Sequence, residues 1–257
     1  MKRLAHLVGL LFFAQIGLAQ NAKPLVAGGT GVIYNKESAF SFGFATTHGW
    51  RVGWEKGLLK TYYKTTFFQL NLGEIKHEKE HKQSSDPAQG RSYRAFVYGK
   101  RNNFLVVRAG WGAKRYFSEK ARQKGVAVGM SYSIGPSLGI LKPYYLGLNR
   151  TADVPGNARE VIEKYSEANA STFLDNTKII GAASFFRGLS QPSFLLGGNA
   201  SIAAHFDWGA FDEYVKAAEV GIQLDLFAKK VPILVGDSVN QALFLNFYAI
   251  LQFGKRR

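Results

Sequence analysis

The chain contains no cysteine, so it can form neither disulfides nor thiolate sites for metals or catalysis. Acidic residues are scarce as well: 18 stand against 33 basic ones, which gives a formal net charge of +15. After the N-terminal segment no run reaches about 18 consecutive apolar residues, which excludes a membrane-spanning helix. Because 46% of the residues are nevertheless hydrophobic, the apolar side chains must be dispersed along the chain, as in a β protein.

The N-terminus has the features of an export signal. A basic start is followed by a mostly apolar stretch from Leu4 to Ile16, and small residues precede a cleavage position after Ala19. We therefore predict a signal peptide over residues 1–19, a periplasmic lead-in or partial lumen plug over 20–37, and one β domain over 38–257.

Segments of about ten residues with an apolar side chain at every second position recur along the chain. Val126 to Ile134 is the clearest, because its apolar residues alternate with alanine, glycine and serine. The pattern predicts an all-β fold: a transmembrane, antiparallel, up-and-down β-barrel of about ten strands, with eight possible. Short periplasmic turns and one long outer loop over residues 149–191 complete it. Such a barrel belongs in the outer membrane of a Gram-negative bacterium.

Ten strands are predicted, an even number that suits a barrel with both termini in the periplasm. They are Ser38–Thr46, Trp50–Lys56, Thr61–Ile75, Ser92–Lys100, Phe104–Phe117, Val126–Ile134, Leu138–Leu148, Ser193–Phe206, Ala218–Phe227 and Ala242–Phe253. Gly57-Leu58, Arg101-Asn102 and Gly135-Pro136 are predicted to be periplasmic turns. Should the sixth and seventh strands be continuous, a second strand must also be lost to keep the number even.

The long loop carries a helix signal of its own. Asn157, with Glu160 three residues later, forms a capping-box pattern. Good helix formers follow, so we expect a short helix over Ala158–Ala168, supported by Glu160 and Lys164 one turn apart.

Charged side chains fall at inward positions of the predicted strands. The predicted lumen-facing polar residues are Arg51, Glu55, Arg108, Lys114, Glu219, Gln223 and Asp225. Acids and bases in this set can pair and close the bore, since a barrel of this size holds only its own side chains or one small ligand. A wide pore is therefore not expected, while a narrow small-solute channel or ligand-binding barrel stays an alternative.

A basic cluster brackets the turn between the fifth and sixth predicted strands, which this topology places outside. Its members, Lys114, Arg115, Lys120, Arg122 and Lys124, are candidate contacts for lipopolysaccharide phosphates. An ordinary charged loop is the alternative. Nucleic acid is not expected as a partner, because the basic residues are not interleaved with a stacking motif.

Two patterns suggest enzymes. His77, Glu78 and His81 spell H-E-x-x-H, which binds zinc when it lies on a helix. Here it follows a strand and lacks an apolar face, so we interpret it as a solvated loop. His205 with Ser201 and Asp207 could form a hydrolase site, but Ser201 and His205 are about 13 Å apart along a strand, too far for a nucleophile and its base.

Several longer segments resemble an uncharacterised outer-membrane β-barrel family of the Bacteroidota. They are Gly135–Leu146, Glu163–Glu167, Phe227–Ile233 and Leu251–Arg257. The resemblance covers most of the chain and implies an outer-membrane address, with no reaction or substrate attached.

The sequence thus predicts a non-enzymatic barrel without a cofactor. The loop over 149–191 exceeds the roughly 15 residues above which loops are usually functional or disordered. We expect a structural or accessory subunit that engages envelope proteins or lipopolysaccharide through this loop and the outer rim.

Overall fold

The computed structural model describes residues 34–46, 49–84, 94–117, 125–151, 158–210, 213–236 and 238–257. The predicted signal peptide and most of the predicted lead-in lie outside these residues. The strands are β1 Lys36–Ala45, β2 Trp50–Thr61, β3 Lys64–Ile75, β4 Lys82–Gln83, β5 Phe96–Val97, β6 Asn102–Tyr116, β7 Ala127–Pro143, β8 Tyr145–Thr151, β9 Ala158–Lys164, β10 Ile179–Ala182, β11 Ser193–Asp207, β12 Tyr214–Phe227 and β13 Leu243–Arg256. One helix, α1, spans Ala170–Phe173 after a 3₁₀ turn at Glu167–Asn169.

In the part of the chain described, eight strands close into one antiparallel barrel in the order β1, β2, β3, β6, β7, β11, β12, β13. Each strand pairs with its neighbour along the barrel, and β13 returns to β1 with Phe40 opposite Phe253. Closure leaves no free edge, which is what a sheet needs in a lipid bilayer. The prediction of a transmembrane up-and-down barrel is confirmed, with the smaller of the two strand counts.

The outer wall of the barrel is apolar. Phe40, Phe42 and Phe44 on β1 are 68%, 50% and 61% exposed, while the alternate residue Ala39 is buried. The same alternation holds on β7, where Ile134 is 69% exposed. None of the described helices is long and apolar enough to cross a membrane.

The predicted division of residues 126–148 into two strands is wrong, because β7 runs without a break through Pro136. Direct pairing with β6 is interrupted here: Arg108 faces Ser137, and the next matched pair is Trp111 and Ile134. The side-chain amide of Asn199 donates to the carbonyl oxygens of Ala109 (3.2 Å), Gly135 (3.0 Å) and Pro136 (2.9 Å). A buried side chain from a third strand thus satisfies the backbone that proline leaves unpaired.

The predicted fourth strand, Ser92–Lys100, does not join the barrel either. Its described part contributes only Phe96–Val97, which pairs with Lys82–Gln83 in a small separate hairpin. Together with the merged β7, this loss reduces the count from ten to eight and preserves the even number.

The connections divide unequally between the two ends of the barrel. The long ones, residues 76–101, 144–192 and 228–242, lie at one end, and the termini lie at the other with three shorter connections. All three predicted periplasmic turns are wrong. Gly57-Leu58 and Gly135-Pro136 lie within strands, and Arg101-Asn102 lies at the long-loop end, since β6 begins there.

The connection between β7 and β11 folds into a separate unit above the barrel. We call it the cap: the sheet β10-β8-β9, the 3₁₀ turn and α1. Leu146 and Leu148 of β8 and Phe173 of α1 are fully buried in its core, with Ile179 and, from the neighbouring hairpin, Phe96. The unit therefore has an apolar core distinct from that of the barrel.

The predicted helix over Ala158–Ala168 is wrong. Residues 158–164 form β9, which pairs with β8 over seven positions, and Asn157 lies outside the described residues. Tertiary pairing overrides intrinsic helix preference here. The helix of the cap begins later, at Ala170, where Phe173 can reach the core.

Candidate functional site

The seven predicted lumen residues all lie buried on the inner face of the barrel. The guanidinium of Arg108 donates two hydrogen bonds to the carboxylate of Asp225, at 2.7 and 2.9 Å. Arg51 donates to Gln223 at 3.1 Å and lies 4.6 Å from the centre of the Tyr248 ring. These contacts cross the bore, because the partners lie on strands that are not adjacent.

A second charged layer lies nearer the termini. The ammonium of Lys114 forms ion pairs with Glu55 and with Glu37 (3.3 Å), and all three side chains are at most 6% exposed. Arg256 donates to Asp207 and to Glu37 (3.4 Å), so Glu37 links the two cations. Sequence reasoning missed Glu37 and Arg256, which lie near strand ends, and considered Asp207 only as part of a hydrolase site.

Acidic and basic side chains nearly balance across the described lumen. Five acids face four Lys or Arg residues, and they are Glu37, Glu55, Asp207, Glu219 and Asp225 against Arg51, Arg108, Lys114 and Arg256. Acidic and basic side chains in the bore therefore neutralise one another, and an ion could pass only by separating them.

An apolar plug, which we call the lid, closes the long-loop end of the bore. Val231, Ile233 and Leu234 from the β12-β13 connection are at most 8% exposed. They pack with Val239 on inward-facing side chains of the strands, which are Ile75, Phe104, Val106, Leu141, Phe227 and Phe244. A Cβ on Gly139 would lie 2.6 Å from the Phe104 ring, so glycine makes room for this ring.

The side chain of Asn240 holds the lid in its folded form. Its carbonyl accepts from the N–H groups of Ile233 (3.0 Å) and Leu234 (3.2 Å), and its amide donates to the carbonyls of Leu234 (3.0 Å) and Gly236 (2.9 Å). Sequence reasoning did not predict the burial of this connection. Its apolar run Val231-Pro-Ile-Leu-Val235 was the signal for burial.

His77 begins a turn after β3 and contacts the lid, so the zinc-site geometry is not formed. Its Nδ1 accepts the N–H of Lys79 at 3.1 Å, and its Nε2 lies 3.0 Å from the carbonyl of Val239. Both ring nitrogens are therefore occupied, while Glu78 and His81 are exposed. In the described residues no three His, Asp or Glu side chains are grouped as metal ligands.

His205 is also committed to structural contacts. Its Nδ1 lies 2.9 Å from a Glu219 oxygen and its Nε2 lies 3.3 Å from the Tyr116 hydroxyl, which in turn donates to Asp207 at 3.1 Å. Ser201 instead shares a hydrogen bond of 2.7 Å with Ser133. The structure thus does not bring Ser201 and His205 together as a nucleophile and base.

The basic cluster does not surround an outer turn. The β6-β7 connection lies at the end that holds the termini, and Lys114 is only 1% exposed inside the bore. Arg115 is exposed on the wall, while Lys120, Arg122 and Lys124 lie outside the described residues. Lys114 is therefore excluded as a lipid contact by burial.

The cap surface is polar and held by charged hydrogen bonds. Arg150 on β8 donates to both carboxylate oxygens of Glu163 on β9, at 3.1 and 2.8 Å, and Asn169 adds a bond of 2.8 Å. The hydrogen bonds from Arg150 hold the pKa of the Glu163 carboxyl below its usual range. The carboxylate therefore stays ionised in mildly acidic surroundings, and the pair is lost only as the pH falls through that lowered pKa.

No protein-family model and no curated protein sequence matches the chain. Among solved structures, the chain is similar to the N-terminal β-barrel domain of OprF from Pseudomonas aeruginosa, with 10% identity, coverage of 87% of this chain and 98% of that one, and a TM-score of 0.37. Neisserial surface protein A is 8% identical, with coverage of 86% of this chain and 93% of that one and a TM-score of 0.37. Ail, the attachment invasion locus protein of Yersinia pestis, is 8% identical, with coverage of 88% of this chain and 100% of that one and a TM-score of 0.37. The resemblance to a Bacteroidota family stays a prediction.

The packed bore makes a prediction about conductance. We expect the purified protein in planar bilayers to show no resolved conductance steps, because two charged layers and the lid fill the path. The variant Arg108→Ser/Asp225→Ser should also be silent, since the lid remains above the space that it opens. Regular steps from the unaltered protein would contradict a closed bore and favour the channel alternative.

Proposed function

We propose that the chain is a non-enzymatic outer-membrane protein whose barrel anchors the cap, and that the cap docks a partner protein of the envelope. The apolar outer wall and the predicted export signal support the location. One observation carries the rest: a connection that needs only a tight turn instead holds a folded unit. Leu141 of β7 pairs directly with Ser193 of β11, so a few residues would join these strands.

The cap has an edge strand through which a partner can dock. Its sheet has the order β10-β8-β9, and among the described residues β9 pairs with β8 alone. An edge strand presents backbone N–H and C=O groups that a partner strand can bind. Glu160 and Lys164 near its ends are exposed, which restrains indiscriminate pairing and leaves recognition to a complementary strand.

Replacing residues 144–190 with a turn of about three residues tests the proposal. We expect the shortened protein to remain a heat-modifiable barrel, because the β7-β11 register continues below the cut. A stoichiometric envelope protein that co-purifies with the full chain in mild detergent should be lost. Mass spectrometry of both preparations measures this.

The matched control is Arg150→Gln, which removes a surface ion pair but leaves the core of the cap intact. It should retain the partner. Recovery of the same partner with and without the cap would show that docking occurs elsewhere, and a full chain that purifies alone would remove the proposal.

A further inference from the structure

A cavity of about 180 Å³ with both polar and apolar lining lies where the cap meets the outside of the barrel. We call it the rim pocket, and its polar lining residues are Asn103, Lys142, Tyr144, Tyr145, Ser184 and Arg187. Asn103 and Lys142 face each other across β6 and β7. They follow the outward series of these strands, so the pocket opens on the membrane side of the wall and not into the bore.

Lys142 is a buried cation with no carboxylate within ion-pair distance among the described residues. It is 3% exposed, and its ammonium donates to the carbonyls of Phe185 (2.6 Å) and Arg187 (3.5 Å). The ammonium also lies 4.0 Å from the centre of the Phe185 ring. Glu74, on the same outer face, attracts Lys142 only from beyond ion-pair distance and pairs with Lys76 at 3.7 Å. Carbonyls and a ring orient the charge without neutralising it, so an anion is the complementary ligand.

The pocket lies at the edge of the apolar belt. Phe194 and Leu196 on β11 are 63% and 71% exposed, and Phe194 pairs with Ile140 of β7. Lys142 follows Ile140 by two residues, which is about 7 Å along a strand. Above the belt, Phe186 is 77% exposed and its ring packs edge-on against that of Phe185, with centres 6.1 Å apart. This is the level at which lipid headgroups meet aromatic side chains.

We propose that the rim pocket binds a phosphate group, presented by a lipid headgroup at the long-loop end of the barrel. Lys142 and Arg187 supply the positive charges, and Asn103, Ser184 and a tyrosine hydroxyl supply further donors. By liquid volume the pocket has room for about six waters, which is enough for a phosphate group. The exposed ring of Phe186 lies beside the acyl chains.

The proposal goes beyond partner docking and rests on the outer-membrane location given in the proposed function. It replaces the cluster near residues 114–124 with a site at the opposite end of the barrel. Its test is independent of partner docking. Loss of lipid binding with the partner retained would remove this inference alone, and loss of the partner with lipid binding retained would remove docking alone.

Native mass spectrometry of the full chain in detergent, titrated with phosphatidic acid, measures the binding. The variant Lys142→Met/Arg187→Gln should bind at least about tenfold more weakly, because it loses two charged donors while methionine keeps the stem beside Phe185. Lys178→Met/Arg94→Gln makes the same change of charge at exposed positions and should bind like the unaltered chain. Phosphatidylcholine, which has no net charge, should bind more weakly than phosphatidic acid.

Two further arms decide the remaining outcomes. Inorganic phosphate that binds as tightly as phosphatidic acid would overturn the lipid source. Arg187→Gln alone guards against misfolding, because Arg187 is exposed and lies on the surface of the cap. This variant should weaken the binding of phosphatidic acid severalfold. If Arg187→Gln and the double variant both bind phosphatidic acid like the unaltered chain, the pocket is not a phosphate site.

Discussion

Replacing Lys114 with methionine is expected to lower the free energy of unfolding by about 3–5 kcal/mol, the usual cost of breaking a buried ion pair. Lys114 is the cation that Glu37 and Glu55 share, and its side chain is 2% exposed. Without it, Glu55 keeps a buried carboxylate with no partner cation among the contacts of its layer. Urea titration in lipid vesicles, followed by tryptophan fluorescence, measures the change.

The control for this variant is Lys216→Met, at an exposed position on β12, which should stay within about 0.5 kcal/mol of the unaltered protein. Adding Glu55→Gln to Lys114→Met should restore part of the loss, because the unpaired carboxylate is removed. If Lys114→Met lowers the free energy of unfolding by less than about 1 kcal/mol, the layer is not a buried ion-pair network.

Placing an arginine at Ile134 is the second substitution with a large expected effect. Ile134 lies near the middle of β7 and faces outward with 69% exposure. At the bilayer midplane an arginine costs about 2–4 kcal/mol, and near the interface about 0–1 kcal/mol. Ile134→Arg should therefore destabilise the vesicle-embedded barrel strongly.

Tyr214→Arg is the matched comparison, because Tyr214 is 54% exposed at the first position of β12. The two variants differ in depth along the wall and share the change in charge. Equal losses of stability for the two variants would mean that the apolar belt is not centred near the middle of the strands. No loss at Ile134 would mean that the wall does not face lipid.

The alternation of apolar and polar residues in the sequence was sufficient to predict which side chains face into the barrel and which face outward. On β2 and β12 the charged positions predicted to face inward, which are Arg51, Glu55, Glu219 and Asp225, are buried. The reason is local: a strand turns successive side chains to opposite faces, so a two-residue period encodes which side each residue takes. Pairing partners within the bore were not available from this period, because they come from strands distant in sequence.

The errors in strand count have a tertiary cause. Gly135-Pro136 is a turn signal by local chemistry, yet the chain stays extended there because Asn199 bonds the freed carbonyls. Segment 158–164 has good helix formers, yet pairing with β8 holds it as a strand. In both cases a contact with another part of the chain outweighs a local preference of about 1 kcal/mol or less per residue.

The sequence by itself determined that the chain is a β-barrel with an apolar wall, a charged bore and one large connection, because these depend on short-range periodicity and length. Only the tertiary structure decided that the bore is sealed. The lid depends on Asn240, which folds the β12-β13 connection into the bore. The ion pairs depend on which of the eight strands face each other across the bore. The tertiary structure also decided that the large connection is a folded cap and that Lys142 is buried with no carboxylate within ion-pair distance among the described residues. Burial and charge compensation are properties of the assembled barrel, and no single segment carries them.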